Sequence, residues 1–157
     1  MDDFAELYKS RTVSLDLFDI LLGKKIGNGA GREVYEHRLD SSLVVKVENS
    51  AGSFQNIVES KIWWEVSDSP YAKWFAPVVA ISANGAVLVM KKAEPARKHE
   101  YPKKIPAFFT DLKRQNFGLL NGKFVCVDYG SSILSYGFTK KLKQAKWWSE
   151  DHEDIKR

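Results

Sequence analysis

Cysteine is almost missing from this 157-residue chain. The one thiol, Cys126, lies in the apolar run Phe124-Val125-Cys126-Val127 and is expected to be a small core residue. A single cysteine makes neither an internal disulfide nor a multi-cysteine zinc site. Long hydrophobic runs are lacking too, since none reaches the ~18 residues that a membrane span needs. The acidic start Met1-Asp2-Asp3 is unlike a secretory signal, so a cytoplasmic protein without membrane association is expected. Repeats and low-complexity segments are absent. Excess charge is small: a net +4, with basic residues gathered at 91–104 and 140–146, favours acidic partners only weakly. No RNA or DNA motif accompanies those lysines, which makes nucleic acid an unlikely partner. What remains is ordinary globular composition, 44% hydrophobic and 28% charged, in a chain long enough to form one folded unit.

The text divides by its periods. Phe4, Leu7 and Tyr8 open with a helical spacing, and Ser14 is placed to cap a helix over 15–22 that Gly23 ends. Residues 1–23 are thus expected to form a helical brace, with Leu15, Phe18, Leu21 and Leu22 against a sheet. From Lys24 the grammar is that of strands: two around a glycine-rich turn, then a third in LVVKVE. Glycines allow backbone amides to approach a phosphate chain, although Gly27-Asn28-Gly29 also suits a bare hairpin turn. Lys46 alternates with Val45 and Val47, so it is either an edge-strand lysine or the partner of an anion.

Residues 55–66 read as a helix, capped by Ser53 or Asn56. Glu59 shares a face with Ile62, Trp63 and Val66, and an inward acid wants a cation, with Lys46 as the obvious one. Glu65 is the rival for that role. Strands at 78–82 and 86–90, turned by Asn84-Gly85, complete a five-stranded antiparallel sheet. The stretch 111–130 then sets Asp111, Lys113 and Asn116 in a polar loop, a hairpin turned by Asn121-Gly122, and an Asp128-Tyr129-Gly130 corner. The hairpin brings Asn116 and Asp128 to one end, where two oxygen ligands suit a hard cation such as Mg²⁺. A plain surface loop followed by a hairpin is the simpler alternative.

In order along the chain, Gly27-Asn28-Gly29 with Val34, then Lys46, a helix glutamate, Asp111 five places before Asn116, and Asp128-Tyr129-Gly130 resemble the protein-kinase family. The turn at 32–36 and the Asp-Tyr-Gly corner resemble the short kinase-like proteins of phages and some bacteria. The resemblance implies an α+β, protein-kinase-like fold: a five-stranded antiparallel small lobe with one helix over 24–93, a strongly truncated second lobe over 94–148, and a frayed tail over 149–157. It implies an ATP- and Mg²⁺-dependent phosphotransferase acting on a Ser, Thr or other hydroxyl. By that resemblance Asp111 orients or deprotonates the acceptor, Lys113 neutralises the moving phosphoryl group, and Asn116 and Asp128 hold metal. Gly27, Asn28, Gly29 and Val34 would cover the nucleotide, Lys46 paired with Glu59 would grip its phosphates, Met90 would guard the adenine pocket, and the backbone of Lys91 and Ala93 would bond the adenine edge.

The departures are equally specific. Arg32 stands at the third glycine position, Phe109-Thr110 replaces the usual His-Arg, Tyr129 replaces Phe, and no Ala-Pro-Glu motif follows. The stretch 94–110, with Pro95, Pro102 and Pro106, has no room for the family's two helices. A nucleotide-binding pseudokinase that serves as a protein-interaction module is therefore the alternative, with ATP and an unidentified protein as partners in either case. The setting would be the host cytoplasm if the chain is phage-encoded. Residues 136–148, which mix lysines with Phe138, Leu142, Trp147 and Trp148, are expected to form an amphipathic helix or a docking surface.

Overall fold

Two-residue alternation gives one strand two different faces, and the sheet follows from that. The computed structural model describes residues 8–49, 52–131 and 137–150. The strands are β1 (Thr12–Val13), β2 (Leu22–Asn28), β3 (Arg32–His37), β4 (Leu43–Glu48), β5 (Val78–Ser82) and β6 (Val87–Lys91). They form one sheet in the order β1-β5-β6-β4-β3-β2. Every pairing is antiparallel except that of β1 with β5. On β4, Val44 joins the core that also holds Leu88 and Met90, while Leu43 and Val45 join a second core with Val87 and Val89. The molecule is thus α+β with a mainly sheet core.

The sheet has six strands where five were expected. Arg11, at a positive φ of 58°, turns the chain after Tyr8, and the Arg11 carbonyl accepts the Ile81 amide at 3.1 Å. Two residues are too short a run to show a period, which is why Thr12 and Val13 escaped notice. The brace is shorter than expected as well: a 3-10 turn at Leu15–Leu17 leads into α1 (Phe18–Leu21), and Ser14 makes no side-chain cap. Gly23 does not end a helix but lies inside β2, where an added Cβ would stand 2.7 Å from the Glu36 carbonyl oxygen. Leu17, Phe18 and Leu21 pack on the second core, while Leu15 is 48% exposed. Tyr8 seals this face through a 2.6 Å hydrogen bond with His37 Nε2. Phe4, Leu7 and the stretch 151–157 lie outside the described residues.

On the opposite face α2 (Gln55–Val66) lies against β4, β5 and β6. Neither Ser53 nor Asn56 caps it through a side chain. Phe54, at φ 53°, begins the helix, and the Asn56 amide donates instead to Glu48 Oε1 at 2.6 Å. Below the helix come two small ribbons. β7 (Lys104–Pro106) pairs with β10 (Leu142–Gln144), and β8 (Phe117–Leu120) pairs with β9 (Lys123–Cys126). Asn121 and Gly122, at φ 51° and 74°, turn the second ribbon, which is the geometry that two-residue hairpins favour.

The expected tail helix is extended chain instead. Lys143, Ala145 and Trp147 are half-buried while their neighbours at 142, 144, 146 and 148 are exposed, a two-residue period hidden among lysines. Lys143 donates to the Phe109 carbonyl, and Trp147 packs edge-on to Phe117 with ring centres 4.9 Å apart. Ser149 and Glu150 are described and not loose, since Glu150 pairs with Lys113. Among the described residues no helix is long and apolar enough to cross a membrane.

Candidate functional site

One carboxylate gathers this site. Glu59 is fully buried, and its position on α2 turns it toward β4, where Lys46 is the residue facing the helix. Lys46 Nζ lies 2.9 Å from Glu59 Oε2 and 3.1 Å from Oε1, and it also donates to the Val127 carbonyl. The Tyr129 amide donates to Glu59 Oε1 at 2.9 Å. Burial alone would raise the Glu59 carboxyl, but the Lys46 and Arg32 charges hold it down at about 2. Burial likewise lowers the Lys46 pKa, with Glu59 opposing. Glu65, the rival acid, is exposed on the other side of the helix.

Arg32 was the residue that sequence reasoning missed. It was noted only as an intruder at a glycine position, yet it is 4% exposed and forks onto Glu59, Nη1 to Oε2 at 2.8 Å and Nη2 to Oε1 at 2.9 Å. Nη1 also donates to Asn56 Oδ1 at 3.1 Å, and Nη2 to Asp128 Oδ1 at 2.7 Å. Alternation did hold a clue: Arg32 is two residues from Val34, and Val34 pairs across the sheet with Lys46, so all three share the helix-facing side. Burial works most strongly against the guanidinium charge, but the charge and hydrogen bonds of Glu59 together with the Asp128 and Glu48 charges outweigh it and raise the Arg32 pKa. Asn56 was read as a possible cap. It is instead wholly buried, donating to the Gly85 and Ala86 carbonyls at 3.0 and 3.1 Å.

The loop after Phe109 meets this cluster through Asn116. Its carbonyl accepts the Val127 and Asp128 amides at 2.8 and 3.3 Å, and its Nδ2 donates to Asp111 Oδ2 at 3.0 Å. Asp111, Asn116 and Asp128 are therefore contiguous, and Arg32 connects Asp128 to Glu59 and Lys46. Lys113 is held elsewhere, 2.6 Å from Glu150 and 5.7 Å from the centre of the Trp148 ring. The Asp128 side chain is 43% exposed, and only its Oδ1 bonds a described residue. Asn116 spends its amide nitrogen on Asp111, which leaves Oδ1 as the atom for a cation. Among the described residues no three acids, histidines or cysteines cluster into a metal cage. Carboxylate and amide oxygens such as these are donors of the type that a hard ion such as Mg²⁺ takes.

A cavity of about 630 Å³ adjoins the cluster, lined by Ile26 of β2 and Phe117 of β8 among others. Ala93, Glu94 and Val127 also line it. The Val127 carbonyl takes the Lys46 amine, so the cavity wall and the charged cluster share a residue. Glu94 and Leu119 exchange two 2.8 Å backbone bonds, and an added Cβ on Gly118 would stand 2.7 Å from the Glu94 oxygen. Of the other residues expected around a nucleotide, Met90 is wholly buried core and Lys91 ends β6 with its amide on the Pro77 carbonyl. Val34 is half-buried above Lys46, Gly27 pairs with it across the sheet, and Asn28 and Gly29 are exposed at the β2–β3 turn. None of these six lines the cavity, whereas Ala93 does.

No protein-family model matches the chain, and no curated protein matches it in sequence.

Proposed function

We propose that this protein is a reduced, protein-kinase-like phosphotransferase that takes Mg-ATP and passes the γ-phosphoryl group to a Ser, Thr or other hydroxyl. The observation that carries the reading is the pairing of a strand lysine with a buried helix acid, one residue away from the cavity wall. A lysine so placed is a positive end for a phosphate chain. Five antiparallel strands with one helix on their inner face support the small lobe that the kinase resemblance implies, with Thr12–Val13 as an addition. The ribbons below stand in for a larger second lobe.

In this reading the adenine enters the cavity by Ala93, between Ile26 and Phe117, and the phosphates run toward Lys46. Asp128 and Asn116 would hold Mg²⁺, which when bound neutralises the phosphates. Asp111, fixed by the Asn116 amide and the Lys113 backbone amide, offers a carboxylate for an acceptor hydroxyl. Catalysis of this kind is mostly positioning and charge neutralisation.

A second reading keeps the nucleotide and drops the transfer. Two contacts favour it: Arg32 holds Asp128, and Glu150 holds Lys113. One preparation separates the two. If purified protein moves labelled γ-phosphate to itself or to a generic acceptor, and Asp111→Asn stops this while ATP still binds, transfer stands. Binding without transfer leaves the second reading, and no ATP binding at millimolar concentration removes both.

A further inference from the structure

Arg32 is out of place in a cleft meant for a metal and a phosphate chain. Its four terminal N–H bonds are matched by four acceptor contacts: Glu59 twice, Asn56 and Asp128. A guanidinium so occupied has little left to offer a phosphate. Its charge is also local and fixed, because Arg32 begins β3 and pairs with Glu48 of β4. With Lys46 it brings two positive charges to the two negative ones of Glu59 and Asp128, so the Asp128 carboxylate already has a cationic partner where a divalent cation would bind.

We infer that Arg32 is an internal counter-ion that competes with a divalent metal for Asp128. The inference rests on the metal role given to Asp128 above. The four contacts are unequal. Those to Glu59 are sealed from water, where losing a partner is costly, but Asp128 is 43% exposed and shares Nη2 with Glu59. A metal that takes both oxygens of the carboxylate breaks one bond, Nη2 to Asp128 Oδ1, and leaves the fork on Glu59 in place. The carboxylate exchanges a monovalent partner for a divalent one, and the arginine stays behind as a fixed charge that keeps metal affinity low until phosphate oxygens arrive.

The test uses Mn²⁺ alone as the probe, read by the loss of its free-ion electron paramagnetic resonance signal on titration with protein. Arg32→Gln is expected to bind Mn²⁺ on the order of tenfold more tightly than the unsubstituted chain. Adding Asp128→Asn is expected to abolish that gain. Should Arg32→Gln fail to fold, as judged by circular dichroism, Arg32→Lys serves in its place, since an amine can still pair with Glu59 but cannot fork to Asp128. Unchanged or weaker Mn²⁺ binding, no binding in any variant, or a gain that survives Asp128→Asn would overturn the inference. A merely structural arginine would lower the melting temperature and leave Mn²⁺ affinity where it was. Fluorescent ATP titrated in a metal chelator reads the nucleotide site separately, so its failure would remove the nucleotide reading without touching the competition.

Discussion

Glu59 serves two cations, and for that reason the members of its cluster are not equivalent under substitution. Lys46→Met removes one partner and leaves Arg32 and the Tyr129 amide on the carboxylate. A loss of about 3 kcal/mol is expected, at the low end for a broken buried pair. Glu59→Gln strands both cations at once, and a loss of about 5 kcal/mol or more is expected. Urea unfolding of the two variants gives the comparison, and a Lys46→Met loss equal to the other would mean that Arg32 offers no compensation. Acid should act through the same carboxylate. Because its pKa is held at about 2, against 4.5 for an ordinary glutamate, its contribution is complete above 4.5 and is lost as pH falls toward 2.

A second titration begins higher. His37 Nδ1 accepts the Leu39 and Asp40 amides at 3.2 and 3.1 Å, so the neutral ring carries its proton on Nε2 and donates it to Tyr8. Burial lowers the His37 pKa, Asp40 opposing, so the unfolded chain takes up a proton first and stability falls as pH drops below the ordinary 6.5. His37→Gln should flatten that upper limb and leave the Glu59 limb intact, measured as unfolding free energy from pH 8 to pH 3.

Between elements, two glycines beside the same residue make a sharp contrast. A Cβ on Gly130 would stand 2.8 Å from the Gln55 carbonyl oxygen, which belongs to the first turn of α2 and cannot move alone. A Cβ on Gly31 would meet Gln55 Nε2 at 2.5 Å, the far end of a flexible side chain. Gly130→Ala is expected to cost about 2 kcal/mol and Gly31→Ala under about 1, from thermal melts. Equal costs would mean that α2 is free to slide. Elements with a full period were legible in the sequence: β4, β5 and α2 have the bounds that alternation or helical spacing gave them. What was illegible had too few residues or the wrong chemistry for its place. β1 is two residues long, β10 conceals its alternation under lysines, and Arg32 and Asn56 are polar groups that only a tertiary partner makes welcome in a core. The Lys46–Glu59 pair could be named beforehand because each residue broke an apolar pattern at a position whose direction was known. Its third member shares their side of the sheet by alternation, but no apolar pattern around it was broken to call for a cation there.

Across the whole molecule, the cavity joins parts that are distant in sequence, Ile26 from the sheet, Glu94 from the crossing and Phe117 from the hairpin. A ligand seated there ties the sheet to the hairpin below it, and its binding energy adds to stability. At a hundred times its Kd, Mg-ATP should contribute about 2.7 kcal/mol, seen as a higher midpoint in thermal unfolding. No shift at millimolar Mg-ATP would count against the nucleotide.

The last described stretch of chain has its own consequence. Trp148 exchanges backbone bonds with the 111–116 loop, its amide to the Leu112 carbonyl at 3.2 Å and its carbonyl to the Arg114 amide at 2.8 Å. Translation makes Trp148 after both of its partners in that loop. A nascent polypeptide still hiding Trp148 inside the ribosomal tunnel would have the 111–116 loop unbraced on one side, so that loop could settle only once synthesis has passed that point.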